Sequence, residues 1–179
     1  MPDGRAVQSG HAVIPGSFDP PTNGHLDIIE RAASIFPRLT VAVVVNPQKR
    51  DPLFTVAERE LMLRECVAGF GNVQVDHFGG LLADFVRSLR ADVIVKGLRV
   101  VSDFESEMAY AHMNRALCGV DTMFLMAHEG YSFISSSIVK EVFGQSGDVA
   151  GFVPKSVLAA LEQKRTTTGG TNVDLPRHR

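Results

Sequence analysis

Two patterns of apolar residues alternate along the chain. Continuous runs rich in valine and isoleucine are typical of strands buried on both faces of a parallel sheet. Such runs predict five strands, at residues 11–14, 39–45, 73–77, 93–96 and 122–127. Between them, apolar residues three and four positions apart predict helices at residues 24–36, 56–67, 81–89 and 104–117. A short helix is expected near residues 135–137, and a last one after Pro154, since proline suits the first helical position.

This alternation of strands and helices predicts the fold class. It is typical of α/β proteins, here a Rossmann-like open parallel sheet of five strands with helices on both faces. The length of 179 residues suits one domain, which we place at residues 11–165. Residues 1–10 are predicted to form a flexible leader. Residues 166–179 are rich in threonine, glycine and charge, which predicts a disordered tail.

The composition narrows the possible partners. A net charge of −2 lacks the basic excess that a nucleic-acid partner would favour. No apolar run approaches the roughly 20 residues of a membrane helix, and the first ten residues lack the apolar segment of a secretory signal. Cys66 and Cys118 lie in helical patterns among apolar residues, which favours the core over a redox or metal motif. We therefore expect no nucleic acid, no membrane and a cytoplasmic location.

The segment 15–25, Pro-Gly-Ser-Phe-Asp-Pro-Pro-Thr-Asn-Gly-His, joins the first predicted strand to the first predicted helix. Gly16 has no Cβ and lets a ligand approach the backbone closely. Thr22 or Asn23 can cap the helix, and Gly24 leaves its first turn open. The free N–H groups and the helix dipole then favour an anion such as a phosphate chain.

Side chains that can contact a phosphate flank this predicted anion site. His25 lies in the first helical turn, from which its imidazole can stabilise charge on the anion, and Ser17 adds a hydroxyl. A second anion site is predicted at Ser135, Ser136 and Ser137, because a plain helix cap needs one serine rather than three. Since ligands of open α/β sheets bind beyond the carboxyl ends of the strands, these sites should meet at one rim. The segments that follow the other strands, 46–49, 79–82 and 97–99, should join them there.

Several motifs resemble those of known enzymes. Thr22-Asn23-Gly24-His25 is similar to the T/HxGH signature of the nucleotidyltransferase superfamily. Lys96-Gly97-Leu98-Arg99, followed in order by the segments 103–108, 112–115 and 131–142, resembles bacterial phosphopantetheine adenylyltransferases. The resemblance spans about residues 11–164. It implies adenylyl transfer, in which the 4′-phosphate of phosphopantetheine attacks the α-phosphate of ATP and yields dephospho-CoA and pyrophosphate.

That reaction needs in-line placement and charge neutralisation rather than a strong base, because the attacking phosphate is already an anion. The resemblance implies ATP, 4′-phosphopantetheine, dephospho-CoA and CoA as ligands, and a homohexamer as the assembly. Mg²⁺ is expected to arrive with ATP. The spacing of Asp103, Glu105 and Glu107 fits one helix edge poorly, since residues two apart face apart, which argues against a metal held by the protein.

The resemblance also implies roles for particular residues. Catalytic roles are implied for His25, Lys49 and Arg99, with His25 on the α-phosphate and Lys49 on the attacking phosphate. The implied ATP-binding residues are Ser17, Phe18, His25, Gly97, Leu98, Arg99, Glu107, Tyr131, Ser132, Phe133, Ile134, Ser135, Ser136 and Ser137. The implied substrate-binding residues are Ser17, Lys49, Leu82 and Lys96.

Some of these assignments have competing interpretations. Arg50 is a rival for Lys49, because the loop at residues 50–52 is longer than in some relatives. Glu107 can be a solvated helix carboxylate, and Leu82 can be ordinary core at a helix start. Gly144 stands where some relatives carry a basic residue, which leaves any phosphate contact there open.

Two other functions compete for the whole chain. A nicotinate mononucleotide adenylyltransferase would share the first and last motifs, whereas the central motifs favour the pantetheine enzyme. A nucleotide sensor without turnover would keep the fold but would have no need of a histidine at the α-phosphate. The presence of His25, Lys49 and the serine run therefore favours an enzyme.

Overall fold

The computed structural model describes residues 10–45 and 52–167, apart from the side chains of residues 101–103 and 167. The strands are β1 His11–Gly16, β2 Arg38–Val45, β3 Val73–Gly79, β4 Val93–Leu98 and β5 Asp121–Met126. The α-helices are α1 Asn23–Ile35, α2 Val56–Val67, α3 Leu82–Ser88, α4 Val101–Cys118, α5 Ser136–Gly144 and α6 Lys155–Thr167. A 3₁₀ turn occupies Glu129–Tyr131.

The five strands form one parallel sheet in the order β3-β2-β1-β4-β5. The predicted α/β fold class is therefore confirmed. β1 pairs with β2 along its whole length, but its pairing with β4 ends at Val13 opposite Ile94. The chain order reverses between β1 and β4, and there the two strands separate towards their carboxyl ends. This is the position at which open α/β sheets bind ligands.

Successive strand residues face two different hydrophobic layers. Ala12 and Ile14 of β1 pack with α1 and α2, whereas Val13 packs with α3 on the opposite face. A third cluster, around Phe54 and Leu161, lies between α2, α5 and α6. This third cluster holds α5 against the body of the domain, and the serine run lies at the start of that helix.

The carboxyl ends of β1 and α6 lie beyond their predicted bounds. Pro15 and Gly16 continue β1, although proline and glycine usually indicate a turn. Their neighbours in β2 keep the strand extended, and the missing N–H of proline costs little because the ladder to β4 has already ended. At the other end of the chain, α6 continues through Thr166 and Thr167, which were predicted to belong to the tail; the Thr166 hydroxyl donates to the Gln163 carbonyl at 2.8 Å. The rest of that tail and residues 1–9 of the leader lie outside the described residues.

The two cysteines are free thiols at half-buried positions. Cys66 packs against the cluster between α2, α5 and α6, and Cys118 packs on the α3 side of the sheet. Both therefore pack against the core from half-buried positions rather than inside it. Across the described residues, no helix combines the length and the apolar character needed to cross a bilayer.

Candidate functional site

A cavity of about 370 Å³ opens where β1 and β4 separate. Its walls come from the carboxyl ends of these two strands, the starts of α1 and α5, and the side of α4. It is lined by Ile14, Pro15, Gly16, Ser17, Thr22, Gly24, His25, Ile28, Val95, Lys96, Gly97, Arg99, Ser106, Glu107, Ala127, Tyr131, Ile134, Ser135, Ser136 and Ser137. The volume lies within the range of about 300–1,000 Å³ that is usual for small-molecule sites.

α1 begins with a capping box in which histidine replaces the usual glutamate or glutamine. Thr22 is the N-cap, and its Oγ1 accepts the His25 backbone N–H at 3.4 Å. In return the Thr22 backbone N–H donates to His25 Nδ1 at 3.0 Å. Because Nδ1 accepts this bond, the neutral ring carries its proton on Nε2. The capping box therefore leaves Nε2–H as the donor that His25 offers to a ligand.

The imidazole of His25 is neutral at pH 7. Its pKa is lowered to about 4, first by burial and second by the positive charge of Arg99. The Phe18 ring meets the imidazole edge-on, with ring centres 5.0 Å apart. Thr22 and Phe18 together fix the position of a neutral hydrogen-bond donor at the cavity wall.

The lowered pKa of His25 predicts a loss of stability in weak acid. In the unfolded chain His25 has its ordinary pKa of 6.5 and becomes protonated below that pH. In the folded state His25 stays neutral down to about pH 4. The free energy of unfolding should therefore fall between about pH 6.5 and pH 4, by up to about 3 kcal/mol from this residue. Buried His11, whose pKa is also lowered by burial and by Arg38, adds to the same trend.

Urea unfolding at pH 7, 6, 5 and 4 would measure this dependence. His25→Gln is the matched variant, because glutamine keeps a capping box and does not titrate. We expect a shallower fall in His25→Gln than in the wild type, with the His11 contribution remaining. Equal slopes for the two proteins would contradict the assignment of this pH dependence to His25.

Charged groups line the β4 side of the cavity. Lys96 Nζ lies 3.2 Å from Glu107 Oε1 and 3.1 Å from Oε2. Glu107 is thus paired at the cavity wall rather than solvated on its helix. Arg99 donates from Nη1 to the Ile134 carbonyl at 3.4 Å, which links the loop after β4 to the serine segment.

The three serines make different contacts. Ser135 is the N-cap of α5, and its hydroxyl accepts the Ile138 N–H at 3.1 Å. The Ser136 hydroxyl donates to the Pro20 carbonyl at 2.8 Å, which ties α5 to the turn before α1. Ser137 is exposed at the cavity. The first two serines therefore hold the helix start in place, and the third is presented to a ligand.

Five described residues that were predicted to contact a ligand do not line the cavity. Phe18 and Leu98 are buried, so their contact with a ligand would have to use backbone atoms. The Ser132 hydroxyl donates to the Glu129 carbonyl, and the exposed Phe133 ring meets Phe152 edge-on. Leu82 starts α3 and packs against the core on that face, as its competing interpretation allowed.

The sequence left two questions about phosphate contacts open: the choice between Lys49 and Arg50, and the role of Gly144. Lys49 and its rival Arg50 lie in the segment 46–51, outside the described residues. Gly144 is the last residue of α5, at the opposite end from the serines. A basic residue at that position would lie at the far end of the helix from the proposed anion site.

Sequence reasoning missed three charged side chains that hold the site together: Asp19, Arg59 and Asp27. Asp19 accepts bonds from Lys140 and from the segment before α2, and Arg59 donates to the Ser17 carbonyl at 2.8 Å. Asp27 on α1 accepts the His128 N–H at 3.2 Å and so holds the loop that leads to the serines. A charged residue inside an otherwise apolar or glycine-rich segment is the one signal that could have identified Asp19.

The residues of the cavity suit anions better than a metal ion. Among the described lining residues Glu107 supplies the single carboxylate, and the Lys96 ammonium is paired with it: Lys96 Nζ donates to Oε1, while the buried Oε2 lies 3.1 Å from Nζ without a hydrogen-bond partner. Elsewhere Glu60, Asp76 and His77 bring possible ligand atoms within 4.8 Å of one another, but Glu60 Oε1 is already paired with His77 and Arg64. A divalent cation in the cavity would have to be held mainly by the phosphates of a ligand and by water.

Comparisons with known proteins agree on one family. Residues 13–142 match the family model described as cytidylyltransferase-like. The curated phosphopantetheine adenylyltransferase of Alkaliphilus metalliredigens is 52% identical over 153 residues, which cover 85% of this chain and 97% of that protein. Those of Heliobacterium modesticaldum and Streptomyces coelicolor are 53% and 52% identical, over 86% of this chain and 91% and 96% of theirs.

A solved structure supports the same fold. A protein of Vibrio parahaemolyticus, named as a nicotinate-nucleotide adenylyltransferase, superposes with a TM-score of 0.65 over 92% of this chain and 98% of that one. The two sequences are 16% identical. At that identity the likeness bears on the fold alone.

Proposed function

Because the chain belongs to the cytidylyltransferase-like family and, within it, to the phosphopantetheine adenylyltransferases, we propose that it transfers AMP from ATP to 4′-phosphopantetheine. The products are dephospho-CoA and pyrophosphate, and the role is in coenzyme A biosynthesis. One observation carries the proposal beyond family membership: a neutral Nε2–H donor at the start of α1 and the serine run at the start of α5 line one cavity.

The reaction exchanges one bond to phosphorus for another. An oxygen of the 4′-phosphate forms a bond to the α-phosphorus, and the bond from that phosphorus to the bridging oxygen breaks, so pyrophosphate leaves with both electrons. His25 donates Nε2–H to a non-bridging oxygen of the α-phosphate, where negative charge builds in the transition state. A neutral donor suits this role because it needs no change of protonation between substrate and product.

The triphosphate end of ATP is assigned to α5. Backbone N–H groups at the start of a helix and the helix dipole both favour anions. Ser137 adds a hydroxyl donor, and Arg99 adds a positive charge on the facing loop. The nucleotide enters as its magnesium complex, with the ion as part of the substrate rather than as a resident cofactor.

The attacking phosphate is assigned to the β4 side, next to Lys96. That lysine is paired with Glu107, so an incoming phosphate has to share Lys96 with Glu107 or displace Glu107 from it. Lys49, in the segment 46–51, is proposed to hold the same phosphate. The pairing with Glu107 keeps Lys96 in the cavity before the substrate arrives.

The serine assignment predicts a contrast between two alanine variants. Ser137→Ala should weaken ATP binding by roughly tenfold, as for one hydrogen bond to a charged group, without changing stability. Ser135→Ala should instead lower the free energy of unfolding by about 1 kcal/mol, since it removes a helix cap. Calorimetric titration with ATP and with AMP, and urea unfolding, would separate the two effects. AMP affinity that falls as much as ATP affinity in Ser137→Ala would contradict the placement of the β- and γ-phosphates at α5.

Pyrophosphate release provides the test of the function itself. We expect release when ATP and 4′-phosphopantetheine are both present, and none with either alone. Release with ATP and nicotinate mononucleotide would instead identify the rival adenylyltransferase. ATP binding without release in either mixture would identify a sensor.

The homohexamer also belongs to this proposal. Its support is the large apolar side chains that α4 and β5 expose: Phe104, Met108, Tyr110, Met113, Leu117, Met123 and Met126. Much exposed apolar surface on a single chain is typical of protein contacts. Sedimentation should give six times the chain mass of 19.4 kDa, and Met113→Lys should reduce that mass. A wild-type protein that sediments as a single chain would refute the assembly. A cytoplasmic location, where ATP is abundant, completes the proposal.

A further inference from the structure

Asp19 is a buried carboxylate in the turn between β1 and α1, and both of its oxygens are occupied. Its side chain is 1% exposed. Oδ1 accepts the Phe54 N–H at 2.9 Å, and Oδ2 accepts the Leu53 N–H at 3.2 Å and Lys140 Nζ at 2.9 Å. One carboxylate therefore joins two segments that lie far from it in sequence.

The first of these segments is α5, which begins with the serines. Lys140 follows Ser136 by four residues, so both side chains lie on one face of the helix. Ser136 bonds the Pro20 carbonyl, and Lys140 bonds the neighbouring Asp19. α5 is thus attached to the turn at two points one helical turn apart, which fixes its rotation as well as its position.

The second segment, residues 52–54, lies between the stretch 46–51 and the start of α2. Leu53 and Phe54 give their backbone N–H groups to Asp19, and Phe54 is itself fully buried. Arg59, in the first turns of α2, adds a bond to the Ser17 carbonyl on the same turn. The stretch that leads into α2 is therefore attached to the turn that carries Ser17 and leads to His25.

A buried ion pair is an unfavourable choice for stability alone, since apolar side chains of similar volume often stabilise as well or better. Its directional bonds do fix geometry. We infer that Asp19 is a positioning residue that couples α5 to residues 52–54, and so fixes the serine site relative to the turn that leads to His25. For its effect on turnover this inference rests on the proposed function; the coupling itself does not.

Hydrogen exchange tests the coupling without any reaction. Lys140→Met removes the cation on α5 and leaves the 52–54 segment untouched. We expect the Leu53 and Phe54 amides to lose protection in Lys140→Met, and Lys140→Arg to restore it. Lys155→Met, the same change at an exposed site at the start of α6, is the control and should leave these amides protected. Unchanged protection at Leu53 and Phe54 in Lys140→Met would overturn the coupling.

Kinetics test the consequence for turnover. Asp19→Asn should lower kcat by about 10- to 100-fold, as for a misplaced reacting group, while the Kd for ATP changes by less. Val157→Ala, a cavity-forming change in the buried cluster between α2, α5 and α6, should lower the melting temperature without lowering kcat. Asp19 would be merely structural if the kcat of Asp19→Asn stayed within twofold of wild type, or if Val157→Ala lost as much turnover as Asp19→Asn.

A double-mutant cycle with His25→Ala adds a second criterion. If Asp19 acts by aligning the reacting groups, the two losses in kcat should combine to less than their product, because residues that act as a unit are not additive. Fully multiplicative losses would overturn the positioning role. A wild-type protein that releases no pyrophosphate would refute the proposed function, and hydrogen exchange would still decide the coupling.

Discussion

Replacing His25 with alanine is expected to reduce kcat by about 100- to 1,000-fold, the range seen when one donor to transition-state charge is removed. The Kd for ATP should stay within a few-fold of wild type. The reason is that the Nε2–H bond strengthens as charge builds on the α-phosphate, so its loss affects the transition state more than the bound substrate. Single-turnover rates together with calorimetric ATP affinity would measure both quantities.

The alanine variant also removes half of the capping box, so loss of activity has to be separated from loss of structure. His25→Gln keeps the capping partner of Thr22 but lacks the imidazole, and it should recover stability without recovering kcat. His112→Ala, at an exposed position on α4 outside the cavity, should retain wild-type turnover. A His25→Ala enzyme with kcat within a few-fold of wild type would refute the transition-state role.

The local parts of this site could be predicted from sequence, and the reason is that their partners are close in the chain. The segment 15–25 is one strand-to-helix connection, and Thr22, Gly24 and His25 all lie within four residues of the helix start. The sequence still left the cap open between Thr22 and Asn23. The structure selects Thr22, because Asn23 instead donates to the Gly151 carbonyl, 128 residues away.

The long-range parts could not be predicted for the same reason. Asp19 and Lys140 are 121 residues apart, and no periodicity or spacing joins them. Glu107 illustrates a milder case: its helix was predicted, but its pairing with Lys96 depends on how α4 packs against β4. The strand pattern fixed the fold class because parallel order follows from the alternation of elements, whereas contacts between side chains depend on packing angles that the pattern does not contain.

Gly16→Ala is expected to lower both stability and turnover. A Cβ at this position would lie 2.8 Å from Phe18 Cζ and 2.9 Å from Cε2, closer than real contacts allow. The Phe18 ring is fully buried, and its backbone already has a φ of 46°, so it has little room to move. We expect the free energy of unfolding to fall by about 1–3 kcal/mol, as for overpacking in other cores.

Turnover should fall because Phe18 is also the ring that supports His25 edge-on. A displacement of the imidazole by a fraction of an ångström to 1 Å can reduce kcat by up to about 100-fold. Gly71→Ala is the matched control, since a Cβ there meets no heavy atom within 4 Å, and it should change neither quantity. Urea unfolding and pyrophosphate release, measured on both variants, separate the two effects. If Gly16→Ala lost stability but kept wild-type kcat, Phe18 would be able to move without displacing His25, and the steric link from β1 to the reacting phosphate would be wrong.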